Sequence, residues 1–406
     1  MDFLFNPGRK TANSVLLVLT TILSAPLSTA QTYTVQRLTP EQPLIDAQSF
    51  ADAGLSDREG GNINGPSVIR VPDWLPPEER ADPSARYYMY FGHHGGKYIR
   101  MAWAEELTGP WTFYNMDPAT PLTERGVLGF AEVEAGGGDY VTYLGPSQEL
   151  RIINHMASPR VFVDDANQRF VLFFHAPSGV NRGDGTFGSN LQRTLLALSG
   201  NGLDFRNGIE PVFIAPFYLD PFSYGGRSYG FANQDFLHRA PEGATLENGG
   251  WWTPPEGHNL KDFLWPRIDS PIRDDHENDP DEVANNPRHF SHRIVGDTAH
   301  IFFHRRDDEP EAILLTKIDL SVGDASQWDS TYPPELILTP ETDWEGIHYP
   351  LKPSTGGSAT GVVQLRDPFI YEEDGRIFMF YCGAGEEAIG LAELFPATPG
   401  GTHVQL

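Results

Sequence analysis

The feature that most constrains the fold of this chain is a short pattern that recurs along it. Each copy has two aromatic residues, then a histidine or a cysteine, then a polar loop and an apolar run that ends in small residues. Four clear copies and a looser fifth begin at Tyr90, Phe173, Phe302, Phe380 and Tyr229. Repetition on this scale predicts an array of similar β units, because each unit needs its neighbours to bury its faces.

The residues between these copies indicate short strands rather than helices. β-branched and aromatic runs alternate with Gly, Pro, Asn and Asp, and helical periodicity is nearly absent. In the first copy the runs separate into residues 67–71, 86–91, 98–104 and 111–114, and in the last copy Glu373-Asp374-Gly375 closes a hairpin. We predict an all-β fold, a five-bladed β-propeller of four-stranded antiparallel blades. A β-sandwich, the alternative, lacks this strand-by-strand repetition.

Three segments set the expected domain organisation. Residues 1–30 have the basic start, the short apolar run and the small residues of a signal peptide, so we expect a secreted or periplasmic protein. Residues 31–406 then form a single propeller domain, with a loop excursion at about 240–286 that breaks the repeat. No later apolar run is long enough to span a membrane, so no membrane partner is expected.

Charge and cysteine usage narrow the range of functions. The formal net charge of −26 repels phosphate backbones, so we expect no nucleic-acid partner. The single cysteine, Cys382, leaves no intrachain disulfide, and its place in an aromatic strand predicts a small buried hydrophobic residue.

Strand topology predicts where the reactive side chains gather. In two adjacent antiparallel strands, the start of the first and the end of the second share one sheet edge. Prolines mark strand starts after Gly65, Ser158, Asp220 and Asp367. In three of the units a histidine ends the second strand, namely His93, His175 and His304. The candidate catalytic residues are Asp367, Glu386, His175, His304 and His93. The candidate substrate-binding residues are His94, His155, Arg160, Arg305 and Arg366.

At these residues the chain resembles the five-bladed propeller glycoside hydrolases of family 43, and within them a poorly characterised branch. The similar segments are NGPSVIRV, YYMYFGHHGGKYIRMAWAEELTGPW, HMASPRVFVDD, FVLFFHA and LRDPFIYEEDGRIFMFYCGAGEEAIGLAEL, which span most of residues 62–395. The resemblance implies a carbohydrate-active enzyme with an Asp base, a second Asp that tunes the pKa, and a Glu acid. The positions that match the two aspartates are Gly65 and Ser158, and only Asp367 keeps an Asp-Pro, so the family's catalytic triad does not carry over.

Several functions remain open on these residues. The leading one is a glycosidase that hydrolyses a poly- or oligosaccharide, with Asp367 as base or orienting carboxylate and Glu386 or a histidine as acid. The arginines would bind a uronate or a sulfate. One alternative is a uronate-directed polysaccharide lyase with a histidine base, and another is a non-catalytic glycan-binding propeller. A divalent cation held by histidines on the propeller axis is a further hypothesis.

Overall fold

The computed structural model describes residues 32–397 apart from residues 56, 95, 97, 122–123, 130–140, 145–148, 153–154, 181–190, 234–235, 244–286, 307, 332 and 353–359. The expected signal peptide and most of the expected loop excursion therefore lie outside the described residues. Within the described part of the chain, no helix has the length and apolar character needed to cross a membrane.

Five antiparallel sheets form the blades of a propeller. The chain begins with β1 (Tyr33–Arg37), α1 (Ala47–Asp52) and α2 (Asp57–Gly60). Blade 1 contains β2 (Asn64–Arg70), β3 (Tyr87–Gly92), β4 (Tyr98–Ala104) and β5 (Thr112–Tyr114), with β6 (Leu128–Gly129) added on β4. Blade 2 contains β7 (Val141–Leu144), β8 (Glu149–Ile152), β9 (Ala157–Asp164), β10 (Arg169–Val180), β11 (Leu191–Ser199) and β12 (Ile209–Pro216).

The remaining blades follow in chain order. Blade 3 contains β13 (Asp220–Tyr224), β14 (Arg227–Ala232) and β15 (Phe236–Arg239) among the described residues. Blade 4 contains β16 (Pro287–Val295), β17 (Thr298–Arg305), β18 (Ile313–Asp319) and β19 (Glu335–Leu338). Blade 5 contains β20 (Arg366–Glu373), β21 (Arg376–Gly383) and β22 (Ala388–Pro396). The five-bladed β-propeller predicted from the repeat is confirmed.

The aromatic pairs of the repeat fill the spaces between blades. Side chains alternate across a strand, so the two members of a pair face opposite sides of their blade. Tyr90 packs in the core shared with Phe170 of blade 2, whereas Phe91 packs in the core shared with Phe380 of blade 5. All of these rings are buried. Both members of the pair are apolar because each blade is covered on both faces.

The propeller is closed by its N-terminal strand, which the repeat did not predict. Strand β1 pairs antiparallel with β22, from Tyr33 opposite Pro396 to Arg37 opposite Ala392, and so provides the outer strand of blade 5. Neighbouring inner strands are also joined by side chains. The Ser67 hydroxyl accepts the Val161 backbone N–H, and Ser291 in blade 4 accepts that of Ile370 in the same way.

Candidate active site

One residue near the start of each inner strand faces a small central pocket. These five residues all have a left-handed φ and all line the pocket: Gly65 (61°), Ser158 (49°), Tyr218 (64°), His289 (51°) and Asp367 (52°). A left-handed backbone is costly for residues other than glycine and concentrates at functional sites. The repeat of this conformation around the axis makes the pocket the candidate active site.

Sequence reasoning located three of these five positions. Gly65, Ser158 and Asp367 were recognised because a proline follows each of them. Blade 3 was expected to start at Asp220-Pro221, which does begin β13, but the axial residue is Tyr218, two positions earlier. His289 was missed because no proline follows it. The shared left-handed φ identifies both residues, and it has no one-letter signature outside glycine.

The Asp367 carboxylate lies at the centre of the polar cluster and is 3% exposed. Its Oδ1 is 3.1 Å from His289 Nδ1 and 3.3 Å from His304 Nε2, and its Oδ2 accepts the Gly65 N–H at 2.9 Å. Burial alone would raise the pKa of this carboxyl, but His289, His304 and Arg366 outweigh burial and lower it. Asp367 is therefore an anion near neutral pH.

His304 lies between two carboxylates and is itself fully buried. Its Nδ1 is 2.7 Å from Glu311 Oε2, and its Nε2 faces Asp367. Burial opposes protonation of this ring, but the neighbouring carboxylates of Asp367 and Glu311 outweigh burial and raise the pKa of His304. The structure thus brings together His304 and Asp367, two of the predicted catalytic residues.

Arg366 joins this cluster to Glu386. The guanidinium of Arg366 pairs with Glu311 at 3.1 Å and with Glu386 Oε1 at 3.0 Å. The other oxygen of Glu386 accepts hydrogen bonds from Asn62 and Asn64 and is 3.5 Å from His94 Nδ1. Burial tends to raise the pKa of Glu386, yet His94 and Arg366 produce a net lowering. Arg366 was predicted to bind substrate, but its guanidinium pairs with two buried carboxylates of the protein itself.

A row of rings leads from His94 to Tyr218 and His289 at the pocket. Ring centroids are 5.9 Å apart for His94 and His155, 5.3 Å for His155 and His175, and 5.0 Å for His175 and Tyr218. Tyr218 then stacks on His289 at 3.9 Å. Burial, followed by neighbouring histidine charges, lowers the pKa of His155 to about 4 and also lowers that of His175 well below its usual 6.5. These two imidazoles are therefore neutral at pH 7.

The other predicted site residues make mainly internal contacts. His93 Nδ1 is 2.7 Å from the backbone oxygen of His94. Arg160 lines the pocket, but it pairs with Asp220 at 3.1 Å. Arg305 pairs with Asp308 at 2.9 Å. His175 does not end its strand as expected, because β10 continues to Val180.

A second cavity, here called the side pocket, lies beside this cluster. Its volume is about 380 Å³, compared with about 30 Å³ for the central pocket. Its wall includes Trp344, His348, Tyr349, Asp343 and Glu387, the residue that follows Glu386. The Tyr349 hydroxyl donates to Glu387 Oε2 at 3.3 Å. The side pocket has the size of a small-molecule site, whereas the central pocket has room for a water or an ion.

Comparison with known proteins identifies one relative and a group of similar folds. No family model matches the chain. An uncharacterized protein of Acanthamoeba polyphaga mimivirus is 30% identical over 338 residues, which cover 82% of this chain and 83% of that protein. This chain belongs to the family of that mimivirus protein.

Solved structures with a similar fold include glycoside hydrolases. An α-L-arabinanase of Cellvibrio cellulosa in complex with arabinohexaose is 13% identical, with 81% of this chain and 90% of that chain covered and a TM-score of 0.45. A family-43 β-xylosidase/α-arabinofuranosidase from a compost metagenome is 12% identical, with 91% and 97% covered and a TM-score of 0.45. At such identities and TM-scores, these likenesses do not indicate the reaction of the mimivirus-type family.

The electrostatics of the cluster limit what this family member can do chemically. A hydrolytic pair of carboxyls needs one protonated and one ionised member. Here the pKa values of Asp367 and Glu386 are both lowered, so neither carboxyl is a proton donor near neutral pH. A histidine is then the candidate proton donor, and the half-buried His94 lies beside Glu386.

Proposed function

We propose that the protein is a carbohydrate-active enzyme that hydrolyses glycosidic bonds at the propeller axis. The observation that supports this most directly is the network of ionised carboxylates and imidazoles at the central pocket. Asp367 and His289 line the pocket and contact each other, and Glu386 lies beside His94 in the same network. The substrate class comes from the resemblance of the repeat segments to family 43. Export through the segment at residues 1–30 is part of the same proposal.

The proposed roles follow from charge and access. Asp367 supplies the fixed negative charge that activates water or orients the water-activating group. His94 supplies the proton, and Glu386, 3.5 Å from its Nδ1, orients the ring. This arrangement replaces the usual pair of carboxyls by one carboxylate and one carboxylate-oriented histidine.

The two cavities suggest where the sugar would bind. A central pocket of about 30 Å³ is too small for a pyranose, so the sugar would lie above it. The side pocket of about 380 Å³ adjoins Glu386 through Glu387 and presents the rings of Tyr349 and His348. Aromatic faces and carboxylates of this kind suit the apolar faces and hydroxyls of a sugar ring.

The test is a screen of neutral and acidic oligosaccharides with products identified by mass. Hydrolysis adds one water to the substrate. On a hydrolysed substrate, Asp367→Asn and His94→Gln are expected to lower kcat by about 10²-fold or more, the usual contribution of a proton-transfer group. Glu393→Gln is the control, because Glu393 also pairs with an arginine in blade 5 but does not contact the cluster. Full turnover in Asp367→Asn would refute the assignment, and binding without turnover would favour a glycan-binding protein.

A lyase acting on uronates is the second candidate, and Arg288 favours it. Arg288 is 8% exposed and precedes His289. Within the described part of the chain its guanidinium has no salt bridge, although it acts electrostatically on Glu311. An arginine without a salt bridge is suited to neutralise a substrate carboxylate. A neutral imidazole would then remove the proton from the carbon next to that carboxylate. The lyase product carries a new double bond that absorbs in the ultraviolet. Such absorbance, with no added water in the mass, would replace the hydrolase proposal.

A further inference from the structure

Three side chains from blades 4 and 5 present their ligand atoms to one another at the axis. The nitrogens of His289 and His304 and a carboxylate oxygen of Asp367 all lie within 4.8 Å of one another. The separations from Asp367 Oδ1 are 3.1 Å to His289 Nδ1 and 3.3 Å to His304 Nε2. Ligand atoms about 2.0–2.2 Å from a shared metal ion are separated by distances of this order.

The hydrogen bonding of His304 leaves one buried nitrogen without a partner. Nδ1 donates to Glu311 at 2.7 Å, so a neutral His304 ring has its proton on Nδ1 and a lone pair on Nε2. Nε2 is buried and makes no hydrogen bond within the described chain, although Asp367 Oδ1 is 3.3 Å away. Two electron-pair acceptors then face each other in a buried space. A cation between them would remove that conflict.

The surrounding charges and space suit a dication. Asp367, Glu311 and Glu386 are buried carboxylates. Arg366 pairs with Glu311 and Glu386, and Arg288 adds a positive charge that acts on Glu311. The central pocket, which His289 and Asp367 line, holds about 30 Å³. That volume accommodates an ion or a water molecule but no larger ligand.

We propose that His289, His304 and Asp367 bind a divalent transition-metal ion such as zinc. Imidazole nitrogens favour zinc and its neighbours in the first transition series, whereas calcium prefers a shell made entirely of oxygen. Glu311 orients His304 from outside the site, in the carboxylate–histidine–metal arrangement common in metalloproteins. The Gly65 N–H holds the second oxygen of Asp367 and so fixes the carboxylate that binds the ion.

This site has three protein ligands and an open side toward the pocket. Such a site retains a coordination position for water or substrate, and a bound metal supplies Lewis acidity there. The inference does not rest on the proposed hydrolysis, since metal binding is measured without any sugar. A protein that binds zinc but turns over no oligosaccharide would keep this site and refute only the proposed function.

The test uses tag-free full-length protein that has been stripped with a chelator and titrated with Zn²⁺ or Co²⁺. We expect one saturable site per chain by calorimetry and elemental analysis. Co²⁺ should give the visible absorption of nitrogen ligation, and Zn²⁺ should raise the thermal unfolding temperature, because the ion binds the folded state. Saturable binding of calcium without zinc, or no saturable binding at all, would overturn the proposal. The second result would instead indicate that a proton occupies the space beside His304 Nε2.

Matched variants locate the ion. His289→Gln and His304→Gln should remove the site, and Glu311→Gln should weaken zinc binding by about 10–100-fold, as loss of an orienting carboxylate does elsewhere. His300→Gln is the control for the histidines, since His300 lies in the same strand, β17, and pairs with Tyr33. Asp367→Asn, which changes the third ligand, should also remove the site. Its control is Asp220→Asn, since Asp220 is also buried, precedes a proline and contacts a histidine. Unchanged Co²⁺ spectra in folded His289→Gln and His304→Gln proteins would contradict the assignment.

Discussion

At the scale of single residues, the axis of this propeller is built as much from backbone conformation as from side-chain chemistry. Five inner-strand residues share a left-handed φ, but only Gly65 adopts it at no steric cost. Gly65 also approaches blade 2 closely, because a Cβ on it would be 3.2 Å from the Ser158 Cα.

Gly65→Ala should therefore destabilise the protein more than the backbone conformation alone requires. We expect a loss of about 2 kcal/mol in the free energy of unfolding, of which about 1 kcal/mol comes from the left-handed φ. Gly296→Ala is the matched control, with a φ of 60° against 61° and open space around the added methyl group. Urea unfolding measures both variants. Equal losses would show that the Ser158 backbone moves aside freely.

The neutral histidines give a pH dependence whose sign can be worked out. Burial and neighbouring histidines lower the pKa of His155 to about 4, below its ordinary 6.5. Between these values the unfolded chain binds more protons than the folded one, so stability falls as the pH falls. For His155 alone the loss between pH 7 and pH 5 is about 2 kcal/mol.

In His155→Gln, the free energy of unfolding should fall by about 2 kcal/mol less between pH 7 and pH 5 than in the unchanged protein. Urea unfolding at both pH values measures this difference. The control is His348→Gln, because His348 is exposed. An unchanged slope in His155→Gln would mean that His155 is solvated and protonates as readily in the folded state.

At the scale of elements, the outer strand of blade 5 connects the two ends of the described chain. Strand β1 covers the edge of β22, and its Tyr33 is 1% exposed. Arg37 pairs with the buried Glu345 at 2.8 Å. Without β1, the protein would expose an open strand edge and lose a buried aromatic ring.

A chain that starts at residue 38 should be less stable than one that starts at residue 32 by at least about 3 kcal/mol, the cost of removing one buried aromatic residue. Because the exposed edge of β22 can pair with other chains, it should also aggregate faster. The chain that starts at residue 32 is the control, since it keeps β1. Thermal unfolding and light scattering measure the two effects. Equal melting temperatures would show that β1 does not close the propeller in solution.

At the scale of the whole molecule, the net charge of −26 dominates the long-range electrostatics. Like charges repel one another in the compact state, and salt screens that repulsion over a Debye length of about 10 Å at 0.1 M. We expect the melting temperature to rise as NaCl increases from about 0.01 to 0.5 M and then to level off. The rise in melting temperature with NaCl should be smaller at pH 5, where protonation of side chains makes the net charge less negative. A melting temperature that falls with NaCl would show that attractive ion pairs outweigh the repulsion.

The amino-acid sequence by itself determined the β units, their number and most of their strands. Those features depend on local patterning, because an aromatic pair predicts burial on both faces wherever it occurs. It also placed Asp367, Glu386 and several histidines on one face, since antiparallel pairing fixes which strand ends share an edge. Cys382 is buried, as its aromatic strand predicted.

Only the tertiary structure decided how these residues combine. The contacts of Glu311 with His304 and Arg366, of Gly65 with Asp367, and of β1 with β22 join residues that no local pattern links. The roles of Tyr218 and His289 depend on a backbone torsion, and the ionised state of Asp367 depends on neighbours from other blades. The repeated sequence pattern specifies each blade because a strand and its hairpin partner form from residues that are close in the sequence. The site forms from contacts between blades, which join residues that are far apart in the sequence.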